Sequence, residues 1–189
     1  LHIQGKQGHA AYPEKTINPI HQLSSALALI AGYNFDEGDE YFSPSQLIVT
    51  DVRSGMQVTN VTPDTLDLMF NVRNSTNTQQ EDIKKYIHKH FDHTNHTLKL
   101  TQGSYPFVTN KESKVVKAME EAIKNVLNIT TKHSTAGGTS DARYFGSFGI
   151  EAIEFGVIND TIHSINERTS VKEVEGLSEV FSSLIKNFD

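Results

Sequence analysis

The fold of the first half of the chain is decided by residues 66–73, which read Leu-Asp-Leu-Met-Phe-Asn-Val-Arg. The strongly apolar side chains occupy every second position, at Leu66, Leu68, Phe70 and Val72. Successive side chains of a β-strand point to opposite faces, so this alternation predicts a strand with one face in a core. Arg73 belongs to the other set and is expected on the face that points away from that core.

The elements on either side of this strand predict a β-α-β-β-α-β order. Residues 1–7, 47–53 and 96–101 read as strands, and apolar residues at helical spacing predict a helix over 18–33. A second helix is expected after residues 78–81, Thr-Gln-Gln-Glu, a capping-box pattern that satisfies free backbone donors at a helix start. This order is the split arrangement of a ferredoxin-like sandwich, which we assign to residues 1–104.

Residues 105–189 read as helices with little sheet. Capping-box patterns at 109–112 and 170–173 predict two helices, a Gly-rich turn at 136–141 precedes a short third helix, and 152–158 reads as a buried strand. One or two strands cannot cover three helices. We therefore expect the missing strands to precede Leu1 and the chain to be a fragment of a longer protein.

Composition narrows the function class. The net charge of −6, with scattered Lys and Arg, argues against a nucleic-acid surface. No apolar run approaches the ~20 residues that span a membrane. The absence of cysteine excludes disulfides and thiolate zinc sites, so a metal would need His and carboxylate ligands. These features favour a cytoplasmic protein.

Nine histidines raise the question of a metal site, and the densest group is His88, His90, His93 and His96. Zinc on a helix prefers histidines at i and i+4, which share a face. His88 and His90 do not have that spacing. The group lies at a predicted helix C-terminus, where protonated imidazole interacts favourably with the helix dipole. We interpret it as a solvated helix end.

Several polar loops are candidate sites. The turn at residues 137–141 could present backbone N–H groups to a carboxylate, or be a plain turn with an N-cap; both readings stay open. His163 lies in a polar loop after the predicted strand 152–158, where α/β proteins place binding groups, although a lone His is more often structural. His9 lies in a loop after the first strand, and Asn60 in a turn shortly before Pro63.

Taken in order, these pieces resemble the di-zinc aminoacylase and carboxypeptidase family. The matching motifs are G-K-Q-G-H-A-A-Y-P (5–13), N-P-I-H (18–21), D-E-G-D-E-Y-F (36–42), T-N-V-T-P-D (59–64), F-N-V-R (70–73), G-G-T-S-D-A-R (137–143) and T-I-H-S-I-N-E (161–167). The resemblance implies a ferredoxin-like lid that forms a homodimer, at 1–104. It also implies that 105–189 is the C-terminal α/β portion of a zinc-hydrolase catalytic domain.

The resemblance also implies roles for single residues. His9 would be catalytic, reaching the partner subunit's site to stabilise the developing oxyanion, and Asn60 would also act across the dimer. His163 would be the last zinc ligand. The remaining implied positions contact the small-molecule substrate, namely Tyr12, Arg73, Gly138, Thr139, Ser140 and Asn159. Arg73 suits a bidentate contact with a carboxylate.

The implied chemistry is amide hydrolysis with two zinc ions per subunit, cobalt being an alternative metal. The motifs at 36–42 and 70–73 resemble those of family members that cleave N-succinyl-L,L-diaminopimelate. The product of that reaction is used in lysine and cell-wall synthesis. The family's other metal ligands precede the lid, so this piece alone is expected to bind no zinc at the native site and to be inactive. The alternatives are an acetylornithine deacetylase or another amino-acid deacylase, or a stand-alone dimerisation module.

Overall fold

The computed structural model describes residues 1–135, 138 and 140–188. The chain divides into two compact units, unit 1 (Leu1–Gly103) and unit 2 (Ser104–Asp189), and each is described by itself. None of the helices in the described part of the chain is long and apolar enough to cross a bilayer.

Unit 1 is an antiparallel sheet with two helices. Its elements are β1 (His2–Gln4), β2 (Gly8–His9), α1 (Pro19–Ile30), β3 (Gln46–Ser54), β4 (Val61–Thr62), β5 (Thr65–Arg73), α2 (Gln80–Phe91) and β6 (His96–Thr97). A 3₁₀ turn at Pro13–Lys15 precedes α1. The main sheet has the order β3-β5-β1-β6, with every neighbouring pair antiparallel. The predicted β-α-β-β-α-β fold is confirmed.

Strand β5 lies between β3 and β1 in the main sheet, and its alternation matches its burial. Leu66 and Leu68 are buried, whereas Asp67, Met69 and Arg73 are exposed. The buried face packs into one core with β1, β3 and both helices, whose other buried members are Ile3, Leu23, Ala26, Ile30, Leu47, Ile83, Ile87 and Phe91. The helices therefore cover one face of the sheet, and the polar side chains of β5 stay on the other.

A second ladder was not predicted. Strands β2 and β4 pair antiparallel, Gly8 with Thr62 and His9 with Val61. It lies just beyond the end of the main ladder at which Gln4 pairs with Thr65. This short ladder fixes the loop that carries His9.

The predicted cap of α2 is wrong in its residues. The N-cap is Gln79, and its box partner is Asp82 instead of Glu81. Thr78 does not cap the helix because its hydroxyl donates a 2.5 Å hydrogen bond to Asp36. Thr78, which the sequence pattern predicted to cap the helix, therefore contacts a residue 42 positions away in the chain.

Asp36 organises the loop between α1 and β3. Its carboxylate accepts hydrogen bonds from the backbone N–H groups of Gly38 and Ser45 and from the hydroxyls of Ser75 and Thr78. Burial would raise the pKa of Asp36, but hydrogen bonds from the Ser45 and Thr78 side chains and from backbone N–H groups outweigh it and hold the pKa far below its usual range. The carboxylate thus joins the 36–45 loop to the segment before α2.

Unit 2 is built on two packed helices. Its elements are α3 (Lys114–Leu127), α4 (Ala142–Ser147) and α5 (Val171–Asn187). Its core joins Met119, Ala122 and Ile123 of α3 to Val180 of α5. The Ser170–Glu173 capping box is confirmed, with both reciprocal hydrogen bonds present.

Two predictions for unit 2 are wrong. Helix α3 begins after Ser113, and Thr109 exchanges hydrogen bonds with the backbone of Ala152 instead of capping the helix. Residues 152–158 do not form a strand, because no described segment of unit 2 pairs with them. Ile153 and Phe155 instead pack against the core of α3 and α5, so the apolar run reflects contact with helices.

Candidate active site

The short ladder brings together two of the predicted site residues, His9 and Asn60. His9 pairs with Val61. The next backbone N–H, that of Ala10, donates to the carbonyl of Asn60 at 2.9 Å. His9 and Asn60 therefore lie on two backbone segments that are hydrogen-bonded to each other at one end of unit 1.

A backbone contact favours one tautomer of the neutral His9 ring. The backbone N–H of Ala11 donates to Nδ1 of His9 at 3.1 Å. An imidazole nitrogen that accepts a hydrogen bond carries no proton, so the neutral ring bears its proton on Nε2. Nε2–H is then a donor without a net charge, which suits contact with a developing negative charge.

Tyr12 extends this surface. Its ring centroid lies 5.8 Å from that of His9, and it is 53% exposed. Nζ of Lys15 lies 4.7 Å from the Tyr12 ring centroid, a cation–π contact. Sequence reasoning missed Lys15, although residues three apart in a 3₁₀ turn lie above one another.

Arg73 is not brought together with His9. It is the last residue of β5 and pairs with Gln46 of β3, whereas the His9 ladder lies beyond Thr65, the first residue of β5. A nine-residue strand separates these ends by about 26 Å. Unit 1 therefore presents two separate groups of predicted site residues.

The histidine group makes local contacts. Nδ1 of His88 lies 2.7 Å from Nε2 of His96, and the His90 ring packs edge-on against Tyr86. His93 lies 3.5 Å from the carboxylate of Asp92. Among the described residues, no group of three or more His, Cys, Asp or Glu could hold a metal ion. The interpretation as a solvated helix end stays a prediction.

In unit 2, His163 is carried by a tightly bonded loop. The φ angles of His163 and Asn166 are 58° and 64°, in the left-handed region that non-Gly residues occupy rarely. The backbone N–H of His163 donates to the Glu167 carboxylate at 3.2 Å. The Thr161 hydroxyl closes the loop through hydrogen bonds to both backbone groups of Arg168. Such constrained conformations concentrate at functional sites.

Ser140, in the Gly-rich motif, is hydrogen-bonded to a glutamate. The backbone N–H and the hydroxyl of Ser140 both donate to Oε1 of Glu154, at 3.0 and 2.6 Å. Gly138 is exposed, and the carbonyl of Asn159 accepts from Ile162. The predicted site residue Thr139 lies outside the described residues. Sequence reasoning missed Glu154, whose signal was a lone carboxylate within the apolar run 152–158.

Comparisons with known proteins identify the family of this chain. A family model described as the peptidase dimerisation domain matches residues 1–98. The succinyl-diaminopimelate desuccinylase of Aliarcobacter butzleri is 68% identical over 186 residues, which are 98% of this chain and 51% of that protein. The protein of the same name from Nitratiruptor sp. is 57% identical, over 97% of this chain and 50% of its own length. The chain thus spans about half the length of the curated relatives it matches.

Solved structures share the fold. A tripeptidase from Staphylococcus aureus has a TM-score of 0.75 at 25% identity, covering 98% of this chain and 49% of its own. The dipeptidase Dug1p of Saccharomyces cerevisiae has a TM-score of 0.77 at 14% identity, covering 99% of this chain and 53% of its own, and shows the fold alone. Because the family model covers 98 of the 189 residues, the chain belongs to the peptidase dimerisation domain family.

Proposed function

We propose that this chain is the lid and the C-terminal catalytic portion of a zinc-dependent hydrolase. The reaction is cleavage of N-succinyl-L,L-diaminopimelate to succinate and L,L-diaminopimelate, in the cytoplasm. The observation that carries the proposal is the 68% identity to the desuccinylase of A. butzleri, which extends over 98% of the chain and so includes both units. Residues 1–104 form the lid, and residues 105–189 belong to the catalytic domain.

His9 is the catalytic residue of the lid in this proposal. Hydrolysis of an amide places negative charge on the carbonyl oxygen in the transition state. A positioned donor aimed at that oxygen lowers the barrier without reorganising. The Ala11 N–H at Nδ1 supports this role, because it leaves Nε2–H as the donating atom. Asn60, hydrogen-bonded to the same loop, supplies a second polar group.

The two groups of lid residues serve different sites. Because the two ends of β5 are about 26 Å apart and His9 lies beyond the end opposite Arg73, one small substrate cannot contact both on one lid. The match to a dimerisation domain supports a homodimer, in which a second lid is available. His9 and Asn60 then act in the partner's site, and Arg73 binds a carboxylate of a different substrate molecule. Tyr12 contacts substrate beside His9.

His163 supplies one zinc ligand. Its imidazole is a suitable donor, and its hydrogen-bonded loop holds the His163 backbone in place. Catalytic zinc needs about three protein ligands, so the rest of each site must come from other parts of the full-length protein. A bound zinc or cobalt ion would supply Lewis-acid chemistry, polarising the amide carbonyl and activating water.

Unit 2 exposes apolar side chains that further polypeptide would cover. Ile165 is 93% exposed and Phe148 82%. Ile185 and Val171 of α5 are also mostly exposed. Large exposed apolar surfaces mark places where another protein surface docks. We assign the docking partner to the remainder of the catalytic domain.

The test is substrate preference and metal dependence of the full-length protein. We expect kcat/KM for N-succinyl-L,L-diaminopimelate to exceed that for N-acetyl-L-ornithine by at least about a hundredfold, because polar groups built for one substrate are left unpaired by the other. Chelation should abolish activity, and zinc or cobalt should restore it. A preference for acetylornithine would favour the deacylase alternative. A dimer with no activity on either would favour a stand-alone dimerisation module.

A further inference from the structure

Glu154 makes an unexpected contact with the Gly-rich turn. It lies in the segment between α4 and the His163 loop, and its Oε1 accepts two hydrogen bonds from Ser140. The Ser140 hydroxyl in turn accepts from the backbone N–H of Ala142, the first residue of α4, at 3.1 Å. A continuous chain of hydrogen bonds therefore runs from the start of α4 through Ser140 to Glu154.

This chain changes what Ser140 can do. Its backbone N–H and its hydroxyl proton are both directed to a carboxylate of the protein itself. Hydrogen bonds from neutral donors to an ionised carboxylate are short and strong, as the 2.6 Å hydroxyl contact is. An anionic substrate would have to displace Glu154 to use these donors.

The segment that carries Glu154 is held at a second point. The Thr109 hydroxyl accepts from the backbone N–H of Ala152 at 3.2 Å and donates to its carbonyl. Ile153 and Phe155, on either side of Glu154, pack against the core of unit 2. The backbone on either side of Glu154 is thus held in place, and Ser140 is attached to the Glu154 carboxylate.

We propose that Glu154 is a positioning residue that anchors Ser140, two positions after the substrate-binding Gly138, and that Ser140 transmits this anchor instead of donating to the substrate. The inference rests on the proposed function, because it takes Gly138 to bind substrate. Glu154 lies outside the G-G-T-S-D-A-R motif and in this proposal supports the substrate specificity of that motif.

The test compares full-length variants on N-succinyl-L,L-diaminopimelate. Glu154→Ala should raise KM about tenfold or more, with a smaller change in kcat, because a displaced Ser140 weakens substrate positioning. Glu154→Gln should recover much of the loss, since its amide oxygen still accepts from Ser140. Because both residues act through one contact, Ser140→Ala combined with Glu154→Ala should be no worse than the poorer single variant. The matched control is Glu151→Ala, an exposed glutamate three residues earlier.

A second measurement does not depend on activity. Hydrogen exchange followed by mass spectrometry of peptides covering residues 138–147 should be faster in Glu154→Ala than in wild type, and unchanged in Glu151→Ala. Unchanged exchange, an unchanged KM in Glu154→Ala, or additive effects in the double variant would overturn the inference. A wild-type protein that is inactive on this substrate would instead refute the proposed function, and the exchange data would still test the contact.

Discussion

The backbone N–H of Ala11 lies 3.1 Å from Nδ1 of His9, and this one contact determines which ring nitrogen can donate. With Nδ1 occupied as an acceptor, the neutral ring carries its proton on Nε2. The contact comes from the turn that follows β2. The short β2–β4 ladder therefore determines both the position and the tautomer of the imidazole.

The first prediction concerns His9 itself. In the full-length protein, His9→Ala should lower kcat by about a hundredfold with little change in KM, because the donor acts on charge that develops in the transition state. Steady-state kinetics on N-succinyl-L,L-diaminopimelate measure this. The control is His21→Ala, an exposed histidine on α1. A raised KM with unchanged kcat would show that His9 binds substrate instead.

Arg73 should behave differently from His9. Arg73→Lys keeps the charge but loses the planar pair of donors that fits a carboxylate. We expect KM to rise about tenfold and kcat to change little. Arg53→Lys is a matched control, because Arg53 also lies on an exposed strand position and pairs with Asp51. Equal effects of the two substitutions would argue against a substrate contact at Arg73.

Asp36→Asn should destabilise unit 1 by about 2 kcal/mol, because charged hydrogen bonds are lost around the buried Ser45 and Ser75. The pKa of Asp36 is lowered on folding, so its contribution is fully present above the unfolded pKa of about 3.9 and is lost as the pH falls through the folded value. Urea unfolding of wild type and variant at pH 7 and at about pH 3 measures both effects.

The difference between wild type and Asp36→Asn should therefore shrink in acid. Glu37→Gln, an exposed neighbour in the same loop, should leave stability unchanged at both pH values. A difference that stays constant from pH 7 to pH 3 would mean that the Asp36 charge contributes nothing.

The elements that could be predicted are mainly those whose apolar residues recur at a regular spacing. Alternation over residues 66–73 identified β5, helical spacing identified α1, and the capping-box pattern at 78–81 located the start of α2 to within a few residues. The β2–β4 ladder was missed because two residues per strand show no period. The run 152–158 was misread because an apolar segment that packs on helices looks like one that pairs in a sheet.

Long-range polar contacts were beyond sequence reasoning. Thr78 matched a local capping pattern, yet its hydroxyl contacts Asp36, and Glu154 meets Ser140 across 14 positions. Nothing in local spacing indicates such pairs. The His9–Asn60 pair was suggested only by resemblance, and the structure adds the backbone hydrogen bond that joins their loops.

The isolated 189-residue chain provides a further prediction. We expect it to have no desuccinylase activity and to be cleaved by protease mainly after about residue 105, because unit 2 exposes apolar side chains such as Ile165 and Phe148. Unit 1 should survive as a dimer. Limited proteolysis with mass spectrometry, followed by sedimentation of the product, measures this. Uniform resistance of the whole chain, or a monomeric unit 1, would contradict it.

The most direct test of the account is complementation between two inactive full-length variants, His9→Ala and His163→Ala, unfolded and refolded together. If His9 acts in the partner's site, each mixed dimer has one site with both residues intact. Random mixing should then restore about a quarter of wild-type activity, because half of the dimers are mixed and each has one working site. The presence of mixed dimers must be shown separately. If the mixture is then as inactive as either variant alone, His9 does not act across the dimer and its proposed role in the partner's site is wrong.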